Sequence, residues 1–196
     1  MDDRYADDEW RLFTADGQRK YLVAAETTRL LAAADQTDPK TRLFCRLLYF
    51  TGCRISESLA LTPKLLDHEA GRVVFRTLKR RKTIYRAVPA PARLMRDLAA
   101  LASGLGPADR LFPWSRQTGW RRIKMLMRVA AIQGPQATPK GLRHALGIHA
   151  TGLKIPEAAI GRWLGHASSK STRIYTYAVG AEERALARRM WQARDK

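Results

Sequence analysis

The segment that decides the fold reads KGLRH at residues 140–144, LGH at 164–166 and STRIY at 171–175, and its tyrosine follows its histidine by nine positions. Farther upstream, residues 51–57 read TGCRISE and supply a second arginine. The planar fork of an arginine fits two phosphate oxygens and stays charged at physiological pH. A tyrosine oxygen can carry a phosphoryl group as a covalent ester, which divides one difficult displacement into two easier steps. Together these side chains suit a reaction at a phosphodiester whose charge is stabilised by fixed cations.

These motifs, in this order, resemble those of the tyrosine recombinases, also called the phage integrase family, over roughly residues 26–189. The resemblance implies the catalytic-domain fold of that family, which is mainly α with a small antiparallel β-sheet (α+β). It also implies site-specific recombination of double-stranded DNA, by integration, excision or resolution, through a 3′-phosphotyrosyl intermediate. No cofactor and no metal are expected, because the sequence contains neither a Walker-type loop nor a carboxylate metal cluster.

The two arginines of the family match Arg54 and Arg143, and the resemblance implies that both hold oxygens of one scissile phosphate. Glu57, three residues after Arg54, could orient its guanidinium. Lys140 stands where the family most often has histidine, and it cannot act as a neutral imidazole base near pH 7. We therefore expect Lys140 to stabilise charge. His144 could support the site, and a packed or capping histidine is an equal alternative.

His166 matches the family's histidine-or-tryptophan position, which implies a hydrogen bond to the phosphate and a part in positioning the nucleophile. Tyr175 matches the nucleophile itself, with Tyr177 as the alternative. Helical spacing predicts a buried stripe of Ile174, Tyr177 and Ala178, which would leave Tyr175 rotated to one side. A phenol with a pKa of about 10 is mostly protonated at pH 7, so its attack requires transfer of a proton.

A strand–turn–strand unit is predicted over residues 65–88, with a turn composed entirely of basic residues. In the family, a lysine on this turn protonates the leaving 5′ oxygen. The resemblance favours Lys79 for that role, with Lys82 as the alternative. Arg80 and Arg81 are expected to bind the DNA backbone, and all four residues together could simply form a phosphate-binding cluster.

A long helix capped by Ser115 is predicted to reach about Ile132. Its apolar residues at helical spacing are expected on the buried face: Trp120, Ile123, Met127 and Ala130. The resemblance places this helix at the DNA major groove, and its candidate DNA-binding residues are Arg121, Arg122, Lys124 and Arg128. Arginine there could read guanine, whereas lysine mainly follows phosphate. A basic face that is merely solvated is the alternative.

The remaining predicted elements are helices at about residues 26–35, 39–52, 56–61, 91–103, 141–151, 156–164, 169–178 and 181–193. Thr27 or Thr28 is expected to cap the first helix, and Gly52 is expected to end the second. Residues 1–20 are predicted to form a loose, flexible acidic arm, and residues 21–196 the catalytic domain. The family's N-terminal core-binding domain is expected to be absent, either in a naturally short recombinase or in a fragment.

The charge balance predicts a polyanionic partner. The chain has 36 Lys+Arg against 18 Asp+Glu, a net charge of +18, which attracts nucleic acid in a salt-dependent way. The sequence shows no apolar run of membrane-spanning length, so no membrane partner is expected. Cys45 and Cys53 lack metal-ligand spacing and indicate a reducing, cytoplasmic compartment, with nucleoid association on DNA.

The resemblance implies a tetramer on two recombination sites. A monomer without DNA and dependence on an accessory DNA-binding protein are further options. A type IB topoisomerase with similar chemistry and a non-catalytic DNA-binding accessory protein are the alternative functions. The complete set of polar groups argues against the second, because a mere binding module has no use for Tyr175.

Overall fold

The computed structural model describes residues 12–79, 82–166, 169–177, 187–188 and 190–192. The α-helices with complete bounds are α1 (Ala24–Asp35), α2 (Pro39–Thr51), α3 (Ile55–Leu59), α4 (Ala92–Ala102), α5 (Arg116–Val129), α6 (Pro139–Gly152), α7 (Glu157–Leu164) and α8 (Lys170–Arg173). Short 3-10 helices span Pro63–Leu65 and Ile174–Tyr177, and the strands are β1 (Leu66–Asp67), β2 (Arg72–Lys79) and β3 (Lys82–Pro89). The predicted fold class, mainly α with a small antiparallel sheet, is confirmed.

The sheet is an antiparallel meander in the order β1-β2-β3. Strands β2 and β3 form the predicted hairpin, in register from Arg72 opposite Pro89 to Lys79 opposite Lys82. Branched and aromatic side chains favour these strands, and Phe75 is among those buried against the helices. The last described pair of the hairpin is Lys79 opposite Lys82.

Helix α2 lies at the centre of the main core and packs against α1, α4 and α6. Its Phe44 is fully buried and forms edge-to-face contacts with Phe112 and Trp114, at ring-centroid distances of 5.0 and 5.3 Å. Gly52 ends the helix with a left-handed φ of 58°, as predicted. A Cβ there would lie 2.6 Å from a methyl carbon of Leu164, so the turn before Arg54 fits tightly against the end of α7.

Helix α1 begins earlier than predicted, and the capping prediction was wrong. Val23 is its N-cap residue, and Glu26 accepts a hydrogen bond from the Val23 amide at 3.0 Å. The hydroxyls of Thr27 and Thr28 instead donate to the Ala24 carbonyl, one turn back inside the helix. Glu26 lies at the third helical position, from which a glutamate side chain reaches back to the backbone amide of the N-cap residue.

Helix α5 buries most of the face that the sequence predicts. Ile123, Met127 and Ala130 are buried as predicted, together with Gly119 and Leu126, whereas Trp120 remains 44% exposed. The prediction that Trp120 lies on the buried face was therefore wrong. Gly119 carries the contact instead, because a Cβ there would lie only 3.3 Å from Phe44, and the missing side chain lets the two helices approach. The predicted Ser115 cap is confirmed, since its hydroxyl accepts from the Thr118 amide at 3.0 Å.

Residues 12–20 make defined contacts where the sequence predicts a loose arm, and the boundary between arm and domain at residue 20 stays a prediction. Phe13 and Arg19 form an antiparallel bridge around a turn at Gly17, whose φ is 82°. Leu12 and Tyr21 are both buried. The acidic residues had suggested solvation, but apolar residues on either side of a Gly-containing turn are typical of a hairpin. Residues 1–11 lie outside the described residues.

The C-terminal predictions are only partly covered by the structure. The predicted helix over 169–178 divides into α8 and the 3-10 helix Ile174–Tyr177, with residue 178 outside the described part. Residues 187–188 and 190–192 are helical, and the other residues of the predicted final helix lie outside it.

Candidate active site

Arg54 is the N-cap residue of α3, and its position depends on Glu57. Glu57 accepts the Arg54 backbone amide at 2.7 Å and the Arg54 Nη1 at 3.1 Å. Nη2 of Arg54 donates to the Gly165 carbonyl at 3.4 Å, across to the end of α7. The side chain of Arg54 remains 35% exposed. The predicted orienting role of Glu57 thus has a geometric basis.

Arg143 lies on α6 and is 5% exposed. It donates to the Gly52 carbonyl at 2.7 Å and to the Leu164 carbonyl at 2.5 Å. These two carbonyls end α2 and α7, so one guanidinium satisfies acceptors at two helix C-termini. Burial, together with the charge of Arg54, lowers the pKa of Arg143 to about 10. The group is therefore still charged at pH 7 and held beside the first arginine.

Tyr175 is 1% exposed and lies in a second, smaller core that includes Leu12, Tyr21 and Leu164. Its phenol oxygen is 3.3 Å from Nδ1 of His144. Burial raises the pKa of Tyr175 to about 12, although the nearby arginine charges oppose this shift. The hydroxyl is therefore protonated at pH 7.

The expectation that Tyr175 lies to one side of a buried stripe was wrong. The sequence reading assumed an α-helical period, whereas Ile174–Tyr177 is a 3-10 helix with about three residues per turn. This shorter period turns Tyr175 inward and leaves Ile174 half-buried.

His166 directly follows the left-handed Gly165 that ends α7. Its Nδ1 is 2.8 Å from the hydroxyl oxygen of Thr172, and its ring stacks on that of Tyr175 with centroids 6.0 Å apart. Burial and then the charge of Arg143 lower the pKa of His166 to about 3. The imidazole is therefore neutral at pH 7 and lies against the tyrosine.

Lys140 lies in the first turn of α6 and is half-buried. Its charge acts on His144 on the next turn, whose pKa is lowered to about 3 by burial first and by Lys140 second. The lysine is therefore beside the histidine that contacts Tyr175. The predicted residues of the hairpin turn cannot be located in the same way. Arg80, Arg81 and the side chains of Lys79 and Lys82 lie outside the described part of the structure.

A cleft of about 790 Å³ lies between β3 and the helices α7 and α8. Its lining includes Arg86, Gly165, His166, Thr172 and Arg173. The cleft therefore opens onto Gly165 and His166 at the end of α7, and His166 precedes Tyr175 by nine positions. Within the described ranges, no group of three or more His, Cys, Asp or Glu side chains could hold a metal ion.

A family model described as "Phage integrase family" matches residues 20–181, which is most of the chain. The chain belongs to the phage integrase family. Tyrosine recombinase XerD of Pseudomonas aeruginosa is 33% identical over 175 residues, covering 83% of this chain and 58% of the relative. Tyrosine recombinase XerA of Thermococcus kodakarensis is 31% identical, covering 80% and 57%. This family member thus spans a little under three fifths of the length of these curated relatives.

Solved structures of integrase-family proteins share the fold. A crystal structure of XerA recombinase has a TM-score of 0.72 at 25% identity and covers 87% of this chain and 64% of its own. The catalytic domain of bacteriophage HP1 integrase has a TM-score of 0.65 at 24% identity, covering 85% and 93%. XerH recombinase bound to its difH substrate, in a post-cleavage complex, has a TM-score of 0.76 at 22% identity, covering 88% and 53%.

In this integrase-family chain, the structure brings six of the predicted catalytic or supporting side chains to one place. The hydrogen bonds and ring contacts given above join this group, which consists of Arg54, Glu57, Arg143, His144, His166 and Tyr175. Their catalytic roles stay predictions, as does that of Lys140.

The basic residues of α5 fall into two groups. Arg122 donates to Asp38 at 3.2 Å and lies over the Trp114 ring, at 4.2 Å from its centroid. Lys124 donates to the Ala137 carbonyl at 2.9 Å. Arg121 and Arg128 are exposed. A DNA contact stays a prediction for all four, and the two exposed arginines have the geometry that suits it best.

Arg86 is the residue of this site that sequence reasoning missed. It lies on β3 and binds the same carboxylate, Glu57, that orients Arg54. A single arginine between Tyr85 and Ala87 in a strand carries no local signal of burial. The alternation of the strand was the available clue, since Arg86 pairs with Phe75, whose side chain is buried.

No helix among the described residues is long and apolar enough to cross a lipid bilayer.

Proposed function

We propose that this protein is a tyrosine-type site-specific DNA recombinase that cleaves and rejoins strands through a 3′-phosphotyrosyl intermediate. One observation carries the proposal. Arg54 and Arg143 donate to the neighbouring carbonyls of Gly165 and Leu164, directly before His166, whose ring stacks on Tyr175. Two permanent cations, a neutral imidazole and a phenol therefore meet at one point, which suits phosphoryl transfer.

Each step of the proposed reaction forms one phosphoester bond and breaks another, so the number of these bonds does not change. The oxygen of Tyr175 attacks phosphorus, the bond from phosphorus to the 5′ oxygen breaks, and the 5′ oxygen leaves as a hydroxyl. The 5′-hydroxyl of a partner strand then attacks the phosphotyrosine and releases the phenol. No ATP is consumed, because the bond energy is kept in the ester. We assign the proton on the leaving oxygen to Lys79, with Lys82 as the alternative.

The proposal requires Tyr175 to move. A side chain that is 1% exposed cannot reach the phosphorus of a duplex. We infer that binding of DNA accompanies withdrawal of the α8 and 3-10 segment from its pocket. His144 is the group to which the phenol is hydrogen-bonded before that step. Because the pKa of His144 is lowered to about 3, this ring is too weak a base to remove the phenol proton, so we infer that Tyr175 keeps its proton until it leaves the pocket.

We propose double-stranded DNA as the partner, bound by a chain of net charge +18. Four protomers on two recombination sites would exchange strands one pair at a time. An accessory DNA-binding protein and nucleoid association in the cytoplasm complete the proposal. The relatives' names support recombination over the type IB topoisomerase and non-catalytic alternatives, and one solved relative is described as bound to its difH substrate.

The test is covalent capture on nicked suicide duplexes. After cleavage, the short fragment that carries the free 5′-hydroxyl is lost, so the strand cannot be rejoined. The expected result is a protein–DNA band that survives denaturation and disappears in Tyr175→Phe. Tyr177→Phe is the matched control, because it removes the neighbouring hydroxyl, and it should retain the band. A band that is lost in Tyr177→Phe but kept in Tyr175→Phe would assign the nucleophile to the other tyrosine.

A further inference from the structure

Arg86 is a largely buried arginine on β3, an edge strand of the sheet. Its side chain is 10% exposed, and its guanidinium carbon lies 5.1 Å from the centroid of the Phe75 ring. A buried guanidinium is costly unless its donors are satisfied. Its position on β3 is therefore stabilised by specific partners.

Those partners come from three different elements. Nη1 and Nη2 donate to the two carboxylate oxygens of Glu57 at 2.7 and 2.6 Å, in the bidentate geometry. Nη1 also donates to the hydroxyl of Thr77 on β2 at 2.8 Å. Nε donates to the Trp163 carbonyl on α7 at 2.9 Å. All three nitrogens are thus bound to protein atoms, which is the arrangement of a structural tie between the sheet, α3 and α7.

Glu57 is the first group that this tie fixes. Its side chain is 4% exposed, and its shortest contact with a charged group is the one to Arg86. The contact between Glu57 and Nη1 of Arg54 is longer, at 3.1 Å. Arg86 therefore holds the carboxylate in place, and the carboxylate in turn orients Arg54.

The end of α7 is the second part of the site that Arg86 fixes. Three consecutive carbonyls accept three different arginines: Trp163 from Arg86, Leu164 from Arg143 and Gly165 from Arg54. The carbonyls at a helix C-terminus have no partner within the helix and carry partial negative charge, so they favour cations. The next residue along the chain is His166, so the three arginines fix the backbone from which this ring projects.

Gly165 shows how closely Arg86 packs against this turn. A Cβ on Gly165 would lie 3.1 Å from Cδ, Nε and Nη1 of Arg86, and the glycine has a left-handed φ of 65°. The glycine thus permits both the turn and the close approach of the arginine.

We propose that Arg86 is a positioning residue for strand cleavage, which sets the geometry of Arg54 through Glu57 and that of His166 through the end of α7, without binding the scissile phosphate itself. The inference rests on the proposed function. It goes beyond it by placing a seventh polar residue, from the sheet, in control of two of the predicted catalytic groups.

Protonation of Glu57 supplies a readout that a purely structural role lacks. Burial alone would raise the pKa of Glu57, but the hydrogen bonds and charge of Arg86 outweigh it and hold the pKa at about 2. The other charged or titratable groups that act with Glu57 are Arg54 on α3, Arg143 on α6 and the Cys53 thiol. Without Arg86, burial would dominate, the pKa of Glu57 would rise, and Arg54 would lose its anionic partner as the pH falls.

The experiment uses a pool of nicked suicide duplexes of randomised sequence, from which wild-type protein first selects a cleaved substrate. Single-turnover cleavage and DNA affinity are then measured against pH for Arg86→Met and Arg86→Lys. The matched control is Arg72→Met, which removes one charge from an exposed ion pair with Asp67 on the same sheet.

For Arg86→Met we expect cleavage on the order of 10²-fold slower than for the control, because small misplacements of catalytic groups have costs of that size. Affinity for the duplex should match the control, and the rate should fall further as the pH is lowered. Arg86→Lys should recover only part of the rate, since an ammonium cannot make the bidentate contact. Cleavage by Arg86→Met at the rate of Arg72→Met would overturn the inference, as would an equal loss in affinity and rate.

A second variant covers a failure of Arg86→Met to fold around an unpaired carboxylate. Glu57→Gln/Arg86→Met removes both charges, and its loss of rate should be smaller than the product of the two single losses, because the two residues share the route to Arg54. Multiplicative losses in the double variant would overturn the inference. The proposed function has its own test: it fails if the wild type forms no covalent adduct, or if Tyr175→Phe still forms one. If Tyr175→Phe is inactive but Arg86→Met cleaves as fast as the control, the proposed function stands and only the role of Arg86 is contradicted.

Discussion

The phenol oxygen of Tyr175 lies 3.3 Å from Nδ1 of His144, in a pocket that leaves the tyrosine 1% exposed. The Nε2 atom of the same histidine is buried without a hydrogen-bond partner among the described residues. Because the pKa of His144 is lowered to about 3, its ring is neutral at pH 7. The protein without DNA therefore keeps its candidate nucleophile protonated, buried and in contact with a neutral imidazole.

Titration of Tyr175 should be displaced to high pH. Burial raises its pKa from 10.0 to about 12, so the folded protein binds this proton more tightly than the unfolded chain does. Stability from this group is complete below pH 10 and is lost as the pH rises towards 12, by about 2–3 kcal/mol in total. Urea denaturation across this range should show the loss in the wild type and a smaller loss in Tyr175→Phe. Equal slopes in the two proteins would contradict the burial.

Gly147 on α6 should be intolerant of a side chain. A Cβ there would lie 2.5 Å from Cε2 and 2.7 Å from Cδ2 of Tyr175. Gly147→Ala should therefore displace the ring and destabilise the fold by about 1–3 kcal/mol, the usual cost of overpacking. Gly152→Ala, on the same helix with nothing within 4 Å, is the control and should be neutral or slightly stabilising. Thermal unfolding distinguishes the two, and equal melting temperatures would count against the pocket.

The two site arginines should differ in their effect on stability. Arg143→Met leaves the Gly52 and Leu164 carbonyls without a donor and should lower the unfolding free energy by about 2–4 kcal/mol. Arg54→Met removes a side chain that is 35% exposed and should cost below about 1 kcal/mol. Both should lose the covalent adduct. Urea denaturation checks the difference, which would be absent if Arg143 were as loosely held as Arg54.

Both site histidines should resist protonation. Burial is the main cause that lowers the pKa of His144 and of His166 from 6.5 to about 3. A lowered folded-state pKa means that the unfolded chain takes up protons first, so stability is complete above pH 6.5 and falls as the pH drops towards 3. In NMR titrations, imidazole signals assigned through His144→Asn and His166→Asn should hold their chemical shifts down to about pH 4. Midpoints near 6.5 for either would show that the ring is solvated.

The sequence was sufficient for the parts of the fold that repeat or interrupt a local pattern. The hairpin over 72–89 follows from branched residues on either side of a basic turn, and the end of α2 follows from Gly52. Ordered motifs also led to Arg54, Arg143, His166 and Tyr175, which the structure brings together. These residues could be predicted because each one lies in a short contiguous motif, and the residues of one motif belong to a single short structural element or its end.

The remaining features depend on packing that no local pattern encodes. Trp120 has a helical period that suits a core, yet Gly119 forms the contact with Phe44 and turns the tryptophan outward. Tyr175 is inward because its segment is a 3-10 helix rather than an α-helix. Arg86 binds both Glu57 and the Trp163 carbonyl, and its contact with Trp163 spans 77 positions of sequence. Side-chain contacts of this range follow from the tertiary structure alone.

The most direct measurement of the central claim is the site of covalent attachment. The captured protein–DNA adduct is digested with nuclease and trypsin, and the peptide spanning residues 174–184 is sequenced by mass spectrometry, because it contains both Tyr175 and Tyr177. We expect a nucleotide attached through a 3′-phosphate to Tyr175 and an unmodified Tyr177. A nucleotide on Tyr177, or on any residue outside this peptide, would contradict the account.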